Sequence, residues 1–368
     1  MFDKRFLRNL DYVLIGAVLL LNLISIIMIG SATAVNSSAD NPYWYVQRQT
    51  IFLVINIIVV FFSLSFDYDQ LERFAMPLYI FNIVMLLAVM LVGQSALGAQ
   101  RWIQIGSISL QPSEFAKMIM IIVLAKVLND RKAGLSSILN ALPVIALVMV
   151  PFVLVLKQPD LGTSLVFIAI LLVMLFVAGM PAKFYVYVAG GSMALAPVFW
   201  YLLRDHQKKR ILVFLDPEKD PYGSGYHIIQ SKIAIGSGML TGKGLFNGTQ
   251  SQLNFLPENH TDFIFSVIGE ELGFIGALIV LILYAIVFYR GLKIAMEAKD
   301  DFGALLAIGI VAMFAFHVLV NIGMTIGIMP VTGIPLPFMS YGVSALTTNM
   351  LCLGVLLNIK ARSKNLFF

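Results

Sequence analysis

The sequence predicts an all-α integral membrane protein with about ten transmembrane helices and one large external loop between helices 7 and 8. Of its 368 residues, 59% are hydrophobic and only 12% are charged, and the mean hydropathy of +0.89 lies far above soluble averages. Apolar runs of about 17 to 25 residues, each long enough to cross a bilayer, recur along the whole chain. Because no gap between them could hold a soluble domain, residues 1–368 are predicted to form a single polytopic membrane domain.

Each predicted span is an apolar run bounded by charged or turn-forming residues, with bounds good to a few residues. The first run follows Lys4, Arg5 and Arg8, as in a signal peptide, but its length of about 20 residues favours a retained helix. The predicted spans are 12–34, 49–65, 75–92, 112–128, 138–156, 163–179, 184–203, 262–289, 303–328 and 338–359.

An even number of spans places both termini on the same side of the membrane. Short connections on that side carry most of the Lys and Arg, whereas the opposite short loops offer only Arg48, Arg101 and Lys157, so both termini are predicted to be cytoplasmic. The loop 204–261 is then external, and long loops cross largely regardless of charge. Its seven cations suggest an anionic ligand outside: Arg204, Lys208, Lys209, Arg210, Lys219, Lys232 and Lys243.

The charge and cysteine content exclude two other classes of protein. The formal charge of +5 comes largely from cations in loops beside apolar segments, as membrane topology requires, so a nucleic-acid partner is not expected. The single Cys352 lies in the last apolar run, which rules out an internal disulfide and a thiolate metal cluster.

The stretch from Asn254 to Gly273 gathers ionisable groups where water meets lipid. A helix beginning near Thr261 would place Asp262, Ser266 and Glu270 on one face. A carboxylate carried into a bilayer costs at least a few kcal/mol unless it faces protein or water, which makes it a functional-site candidate. The alternative is that Glu258 and Asp262 cap a helix and meet lipid headgroups.

Three further positions combine charge with apolar surroundings. Pro112 suits the first turn of the fourth span, where Glu114 and Lys117 at i and i+3 can pair on one face. Asp160, at the external edge of a span, suits a helix cap or a functional role equally.

The last third of the chain adds a polar pair and an irregular loop. His317 and Asn321 share a helix face, which favours an interhelical hydrogen bond over a proton relay. The segment 329–342 contains three prolines at membrane depth, where irregular backbone must line a cavity or be buried in protein. Glycines flanking Lys243 allow close approach to a phosphate, but this signal alone is weak.

Four motifs in register over essentially the whole chain resemble those of the shape, elongation, division and sporulation (SEDS) glycosyltransferases. The motifs are Gln111-Pro-Ser-Glu-Phe-Ala-Lys117, Gln158-Pro-Asp-Leu-Gly-Thr163, Pro257-Glu-Asn-His-Thr-Asp-Phe-Ile-Phe265 and Pro335-Leu-Pro-Phe-Met-Ser-Tyr-Gly342. Segments 215–221, 250–257 and 329–335 resemble the rod-shape elongation branch. Val343-Ser-Ala345 departs from the family's pattern at the beginning of the last span.

The resemblance implies a peptidoglycan glycosyltransferase of cell-wall elongation that polymerises lipid II at the outer face of the bacterial cytoplasmic membrane. It implies as partners a class B penicillin-binding protein, which is a transpeptidase, and other membrane proteins of the elongation complex. The family's essential aspartate corresponds to Asp262, and the same motifs make His260 and Ser340 candidates for substrate binding.

Glycosyl transfer from a lipid-linked donor has chemical requirements of its own. Joining an α-linked diphosphate donor to a sugar hydroxyl with inversion needs a base for the hydroxyl and positive charge for the departing pyrophosphate. The base would be Asp262, and the candidate cations are Arg101, Arg210, Lys243 and Lys117. A divalent cation, Mg²⁺ or Mn²⁺, could share this work near Asp160 or Glu114, although no metal-ligand spacing demands one.

Two other functions fit parts of the pattern. A flippase that moves the same lipid-linked precursor would also use cavity-lining charges and a proline-broken loop. It has no need, however, for a base beside a large external loop. A scaffold for a wall-synthesis partner would leave the intramembrane charges unexplained.

Overall fold

The structure, a computed structural model, is built almost entirely of helices around one apolar core. It describes residues 6, 8–34, 41, 43–96, 99–106, 108–131, 138–203, 205–220 and 223–363. Arg204 and the outermost terminal cations Lys4, Arg5 and Lys364, which entered the topology prediction, lie outside these residues.

A helix occupies each of the predicted spans. Seven helices in the described part of the chain are long and apolar enough to cross a membrane, and Leu161–Val177 is a shorter apolar helix. The first seven helices are α1 Tyr12–Thr33, α2 Trp44–Ser65, α3 Asp69–Val92, α4 Pro112–Asp130, α5 Ile138–Lys157, α6 Leu161–Val177 and α7 Ala182–Leu202. After the large loop come α12 Gly273–Met296, α13 Asp301–Thr325 and α14 Val343–Ala361. The prediction of a helical multi-pass membrane protein is confirmed.

The centre of the bundle is formed by α4, α13 and α14, while α3 lies at its edge. In the most apolar window of α13, and likewise of α14, 72% of residues are buried, against 22% in α3. A helix that is apolar all round belongs in the interior of a bundle. Polar side chains on the central helices therefore meet protein and not lipid, and this is where the functional groups lie.

Local sequence explains where the helices begin. Pro112 occupies the first turn of α4, as predicted, where its missing N–H costs no hydrogen bond. Asp11, Asp160 and Asp300 cap α1, α6 and α13 by accepting from the backbone N–H three residues on.

The eighth predicted span differs from expectation, because it consists of two helices. A short α11 runs Ile264–Glu271 and α12 begins at Gly273, whose φ of +66° breaks the helix. A side chain at Gly273 would meet Gly242 N at 2.3 Å and Leu240 O at 2.7 Å, so the loop packed across the junction requires glycine. The predicted helix beginning near Thr261 is wrong: Asp262 lies in the turn before α11, off the face shared by Ser266 and Glu270.

A small sheet between α3 and α4 was not predicted. Strands β1 Gln94–Ala96, β2 Ala99–Ile105 and β3 Ile108–Leu110 pair antiparallel in the order β1-β2-β3. This sheet carries Arg101 and Trp102 to the same end of the bundle as Asp262.

The large loop between α7 and α11 also contains helices. They are α8 Asp205–Leu215, a 3₁₀ turn Pro217–Lys219, α9 Ser224–Ser237 and α10 Thr249–Gln252. The segment from His227 to Ile235 lies within α9.

Candidate active site

A cavity of about 560 Å³ opens at the end of the bundle where the large loop and the sheet meet. Its charged lining comes from distant parts of the chain: Arg48, Arg101, Glu114, Arg210, Glu258 and Asp262. The proline-rich loop between α13 and α14 forms another wall through Thr332, Gly333 and Pro335. That loop therefore lines a cavity, as its irregular backbone at membrane depth predicted.

Asp262 presents a carboxylate that is not engaged by any other described side chain in a hydrogen bond or ion pair. Burial, assisted by the nearby Glu258, raises the pKa of Asp262 to about 6, against the opposing effect of Arg210 and Arg101. Gly333, at φ +74°, would bring a side chain to 3.3 Å from Asp262 Oδ2. The glycine keeps the space beside the carboxylate open, and the raised pKa suits a group that accepts a proton near neutral pH.

The backbone around Asp262 is held by hydrogen bonds to consecutive carbonyls. Tyr341 N donates to His260 O (2.9 Å), Ser340 Oγ to Thr261 O (2.6 Å) and Asn321 Nδ2 to Asp262 O (2.9 Å). Residues 260–262 are thereby fixed to α13 and to the loop before α14, so the carboxylate stands on a rigid support.

Arg210, on α8, is the cation from the large loop that lines the cavity. Burial lowers the pKa of Arg210, as does the neighbouring Arg101, while Asp262 and Asp160 raise it. Within the described residues its guanidinium makes no ion pair, so its charge is available to an anion entering the cavity.

Arg101 lines the same cavity but has protein partners. Its Nε donates to Gln158 O (3.2 Å), its Nη2 to Pro159 O, and its Nη1 lies 3.7 Å from Asp160 Oδ1. Asp160 Oδ1 also accepts from Thr163 N at 3.1 Å. Asp160 is buried as a helix cap and as the partner of Arg101, and it is not among the cavity-lining residues.

Glu114 and Lys117 form the predicted pair, and the pair is buried. Lys117 Nζ donates to Glu114 Oε1 at 2.8 Å, with the two side chains 2% and 4% exposed. Glu114 lines the cavity, whereas Lys117 lies behind it and contacts His317 Nε2 at 3.2 Å. A cation so enclosed supports Glu114 and does not itself line the cavity.

Most other loop cations are paired locally. Lys243 Nζ donates to Glu270 Oε1 and Thr249 Oγ1, both at 2.7 Å, so its positive charge is paired with a fully buried carboxylate. Lys209 pairs with Asp220 and Lys219 with Asp216. The structure thus does not bring Lys243 to the cavity, and among the loop cations that the structure describes only Arg210 lines it.

Ser340 also supports the site from behind. Besides bonding Thr261 O, its hydroxyl accepts from Leu336 N at 2.8 Å, and it does not line the cavity. His260 does line it, and burial lowers the pKa of this imidazole.

An aromatic wall beside His260 escaped the sequence prediction. Tyr45 packs against His260 (4.7 Å between ring centroids) and Tyr341 (5.1 Å), and Arg48 lies over the ring of Trp44 at 4.7 Å. Sequence reasoning placed Arg48 in a loop, but α2 begins at Trp44 and so includes it. A cation one turn after an aromatic residue at a helix start is the signal that could have revealed it.

The fold and the cavity define a polytopic membrane protein. At one end of its helix bundle it carries a charged pocket of the kind that forms an enzyme active site. Residues 11–365 match the family model described as "Cell cycle protein", the FtsW, RodA and SpoVE proteins. The chain is 41% identical over 357 residues to the peptidoglycan glycosyltransferase MrdB of Escherichia coli strain K12, covering 97% of this chain and 96% of that one. It is 39% identical over 360 residues to the stage V sporulation protein E of Bacillus subtilis strain 168, covering 96% and 98%.

Solved structures agree with these relatives. A chain from a study of structural coordination of polymerization and crosslinking by a peptidoglycan synthase complex superposes with a TM-score of 0.82 at 30% identity, covering 95% of this chain and 97% of that chain. The crystal structure of the Thermus thermophilus rod shape determining protein RodA gives 0.71 at 29% identity, covering 97% and 98%. The chain therefore belongs to the SEDS family of membrane glycosyltransferases, as its motifs indicated.

Proposed function

We propose that this enzyme polymerises lipid II into glycan strands, with Asp262 as the general base. The observation that carries the proposal is the cavity in which the unpaired Asp262 carboxylate, its pKa raised to about 6, faces the guanidinium of Arg210. A base and a cation that line one cavity are what inverting transfer from a diphosphate donor requires.

The reaction breaks one bond and makes one. The acceptor sugar's hydroxyl oxygen attacks the anomeric carbon of the donor, and its proton passes to the Asp262 carboxylate. The bond from that carbon to the phosphate oxygen breaks, and undecaprenyl pyrophosphate leaves with the electron pair. Attack from the face opposite the leaving group inverts the α-linked donor to a β-linked product.

The leaving pyrophosphate needs compensation for its charge more than it needs a proton. Arg210 is suited to this because it lines the cavity without an ion-pair partner among the described residues, and a guanidinium binds phosphate oxygens in pairs. Arg101 and Arg48 line the same cavity and add to its positive field. Arg101 already donates hydrogen bonds to the carbonyls of Gln158 and Pro159. We therefore assign Arg210 the larger share of the charge compensation at the pyrophosphate.

A divalent cation is a further proposal. Within the described ranges no three His, Cys, Asp or Glu side chains gather into a metal site. Mg²⁺, however, is commonly bound by one or two carboxylates together with substrate phosphates. Glu258 and Glu114, which line the cavity, would supply such oxygens, and the ion would add charge compensation at the pyrophosphate.

We place the cavity end outside the bacterial cytoplasmic membrane and both termini inside, because short connections at the terminal side carry most of the cations. The likeness to a chain from a peptidoglycan synthase complex supports a transpeptidase of the class B penicillin-binding proteins as partner. Residues 1–368 act as one domain in this proposal, serving cell-wall elongation.

One observation favours a flippase as the second candidate. Glu114, Lys117 and His317 form a buried chain of ionisable groups inside the bundle, a common feature of transport pathways. Polymerisation explains more, because the unpaired Asp262 lies at the end of the bundle and not midway along a path.

Asp262→Asn separates the two functions. The amide keeps the size of the side chain but cannot take a proton from the acceptor, and general-base loss costs roughly 10² to 10⁴ in rate. Purified wild type and variant would receive lipid II in detergent micelles, where translocation has no meaning, and glycan product would be measured on gels. Polymer from wild type with almost none from the variant supports the base. Polymer from both removes Asp262 from the mechanism, and polymer from neither, with the transpeptidase present, favours the flippase.

A further inference from the structure

His317 and Asn321 lie one turn apart on α13 and bind adjacent carbonyls of the proline-rich loop. His317 Nδ1 lies 3.2 Å from Pro335 O, and Asn321 Nδ2 donates to Ile334 O at 2.8 Å. The same Asn321 nitrogen donates to Asp262 O at 2.9 Å. Both side chains are buried, at 2% and 0% exposure, so water does not replace these bonds.

The surroundings of His317 fix its tautomer. Lys117 is an ammonium with donors only, and it already donates to Glu114. Its 3.2 Å contact with His317 Nε2 therefore requires that nitrogen to accept, which leaves the proton on Nδ1 to be donated to Pro335 O. The neutral imidazole therefore donates from Nδ1 to the loop. Its Nε2 accepts from Lys117, which in turn donates to Glu114.

The surroundings of Asn321 fix its orientation in the same way. Both neighbours are carbonyl oxygens, so the NH₂ group must face them, and Asn321 Oδ1 is left buried without a hydrogen bond. An unsatisfied buried acceptor costs roughly 1–3 kcal/mol. That cost is retained at a position where the amide links Asp262 to the proline-rich loop.

We propose that His317 and Asn321 are positioning residues that hold the two reactive walls of the cavity at a fixed separation. One wall carries Glu114, which reaches His317 through Lys117; the other carries Asp262, whose carbonyl binds Asn321. The loop residues Pro335 and Ile334 accept hydrogen bonds from His317 and Asn321, respectively. This inference rests on the proposed role of Asp262 and extends it to two residues that do not line the cavity.

The positions of the reacting groups affect the rate of catalysis more than they affect the binding of substrate. A displacement of about 1 Å at a reacting group can cost about 10²-fold in rate, and loss of a supporting hydrogen bond typically costs 10- to 100-fold. Asn321→Leu keeps the side-chain volume and removes both donors. We expect kcat for lipid II polymerisation to fall about 10- to 100-fold with KM nearly unchanged.

Asn358 offers a matched control at the opposite end of the bundle. Its Nδ2 also donates to two backbone carbonyls, Ser63 O at 2.7 Å and Phe66 O at 2.6 Å, and it is 2% exposed. Asn358→Leu removes the same two donor bonds far from the cavity, and with them the bond that Arg362 Nη1 donates to Asn358 Oδ1. Asn358→Leu should lose at least as much thermal stability as Asn321→Leu, but only Asn321→Leu should lose kcat.

The experiment uses the purified full chain with lipid II and records kcat, KM and melting temperature. A kcat loss confined to Asn321→Leu supports the proposal. Wild-type kcat in Asn321→Leu, or equal kcat losses in both variants, overturns it. If Asn321→Leu does not fold, His317→Phe takes its place: it fills the ring's volume and removes both the donor to Pro335 O and the acceptor for Lys117 Nζ. A kcat loss with KM nearly unchanged is again expected, and wild-type kcat overturns the proposal.

Asp262→Asn, measured in parallel, keeps the two claims distinct. An inactive Asp262→Asn with a fully active Asn321→Leu refutes the positioning role alone. An active Asp262→Asn refutes the proposed base, and the positioning role that rests on it falls with it.

Discussion

The two ends of the helix bundle differ in how their charged side chains are paired. Where α1 begins and α14 ends, which we call the terminal end, ions pair across helices: Arg290 with Asp11 (2.6 Å), Lys360 with Glu297 (2.6 Å) and Lys299 with Asp69 (2.6 Å). At the cavity end Arg210, Glu258 and Asp262 line one space, and within the described residues none of them belongs to an ion pair. The terminal end uses these charges to fasten helices, whereas the cavity end has the pairs Arg101–Asp160 and Glu114–Lys117 and also keeps charged side chains outside any ion pair.

The difference has a physical reason. Apart from the buried Asp11, the ions at the terminal end are partly exposed, so pairing adds little energy but fixes the connections between helices. At the cavity end a partly desolvated, unpaired charge costs stability, which is one reason why perturbed groups in a cleft mark functional sites. A diphosphate bound in the cavity would supply the partner that Arg210 lacks.

The largest expected effect concerns the buried pair of Glu114 and Lys117. Removing a single partner leaves an uncompensated charge and costs about 3–5 kcal/mol. Glu114→Gln and Lys117→Met should therefore each destabilise the protein more than the double variant does, as measured by thermal unfolding in detergent. If the two losses simply add, the groups are not coupled as their 2.8 Å contact implies.

The next largest effect concerns Arg210, which makes no ion pair within the described residues. Arg210→Ala should lower polymerisation about 10²- to 10³-fold, the usual loss when a group stabilising developing charge is removed. Lys209→Ala is the control, since the neighbouring Lys209 is 58% exposed and pairs with Asp220. Equal rates in wild type and Arg210→Ala would refute the assignment. Arg101→Ala is a less clean test, because it also unties the loop 158–160.

The smallest effect belongs to the terminal end. Lys299 and Asp69 are 34% and 46% exposed, so Lys299→Met should change the free energy of unfolding by at most about 1 kcal/mol. Polymerisation should stay at the wild-type rate. A strong loss of activity with the fold intact would show that the terminal end also takes part in function.

Periodicity and composition predicted the spans because length and hydropathy depend on local sequence. They missed the break at Gly273, where the apolar pattern continues and only the packing of the loop at Leu240 and Gly242 requires an interruption. The sheet at 94–110 was missed for a different reason. Its alternation of Arg101, Ile103 and Ile105 with Trp102 and Gln104 is short and stands between two long helices.

The site was predictable where a motif or a helical spacing carried it, and not where tertiary contacts decide. The Glu114–Lys117 pair follows from i, i+3 spacing, and Asp160 caps α6 as one of its two predicted roles. That Lys243 binds Glu270, or that Arg48 faces the cavity, depends on how distant helices meet. The cations of the large loop were alike in sequence, and only the fold separates Arg210 from the rest.

The dependence of kcat on pH tests the central claim most directly. The base must be ionised, and its pKa is raised to about 6, so activity should rise with pH and reach half its maximum near pH 6. The residual activity of Asp262→Asn should lack this rise, since the amide does not titrate. A wild-type profile that is flat from about pH 5 to pH 8, or a midpoint near the ordinary aspartate value of about 4, would contradict the account.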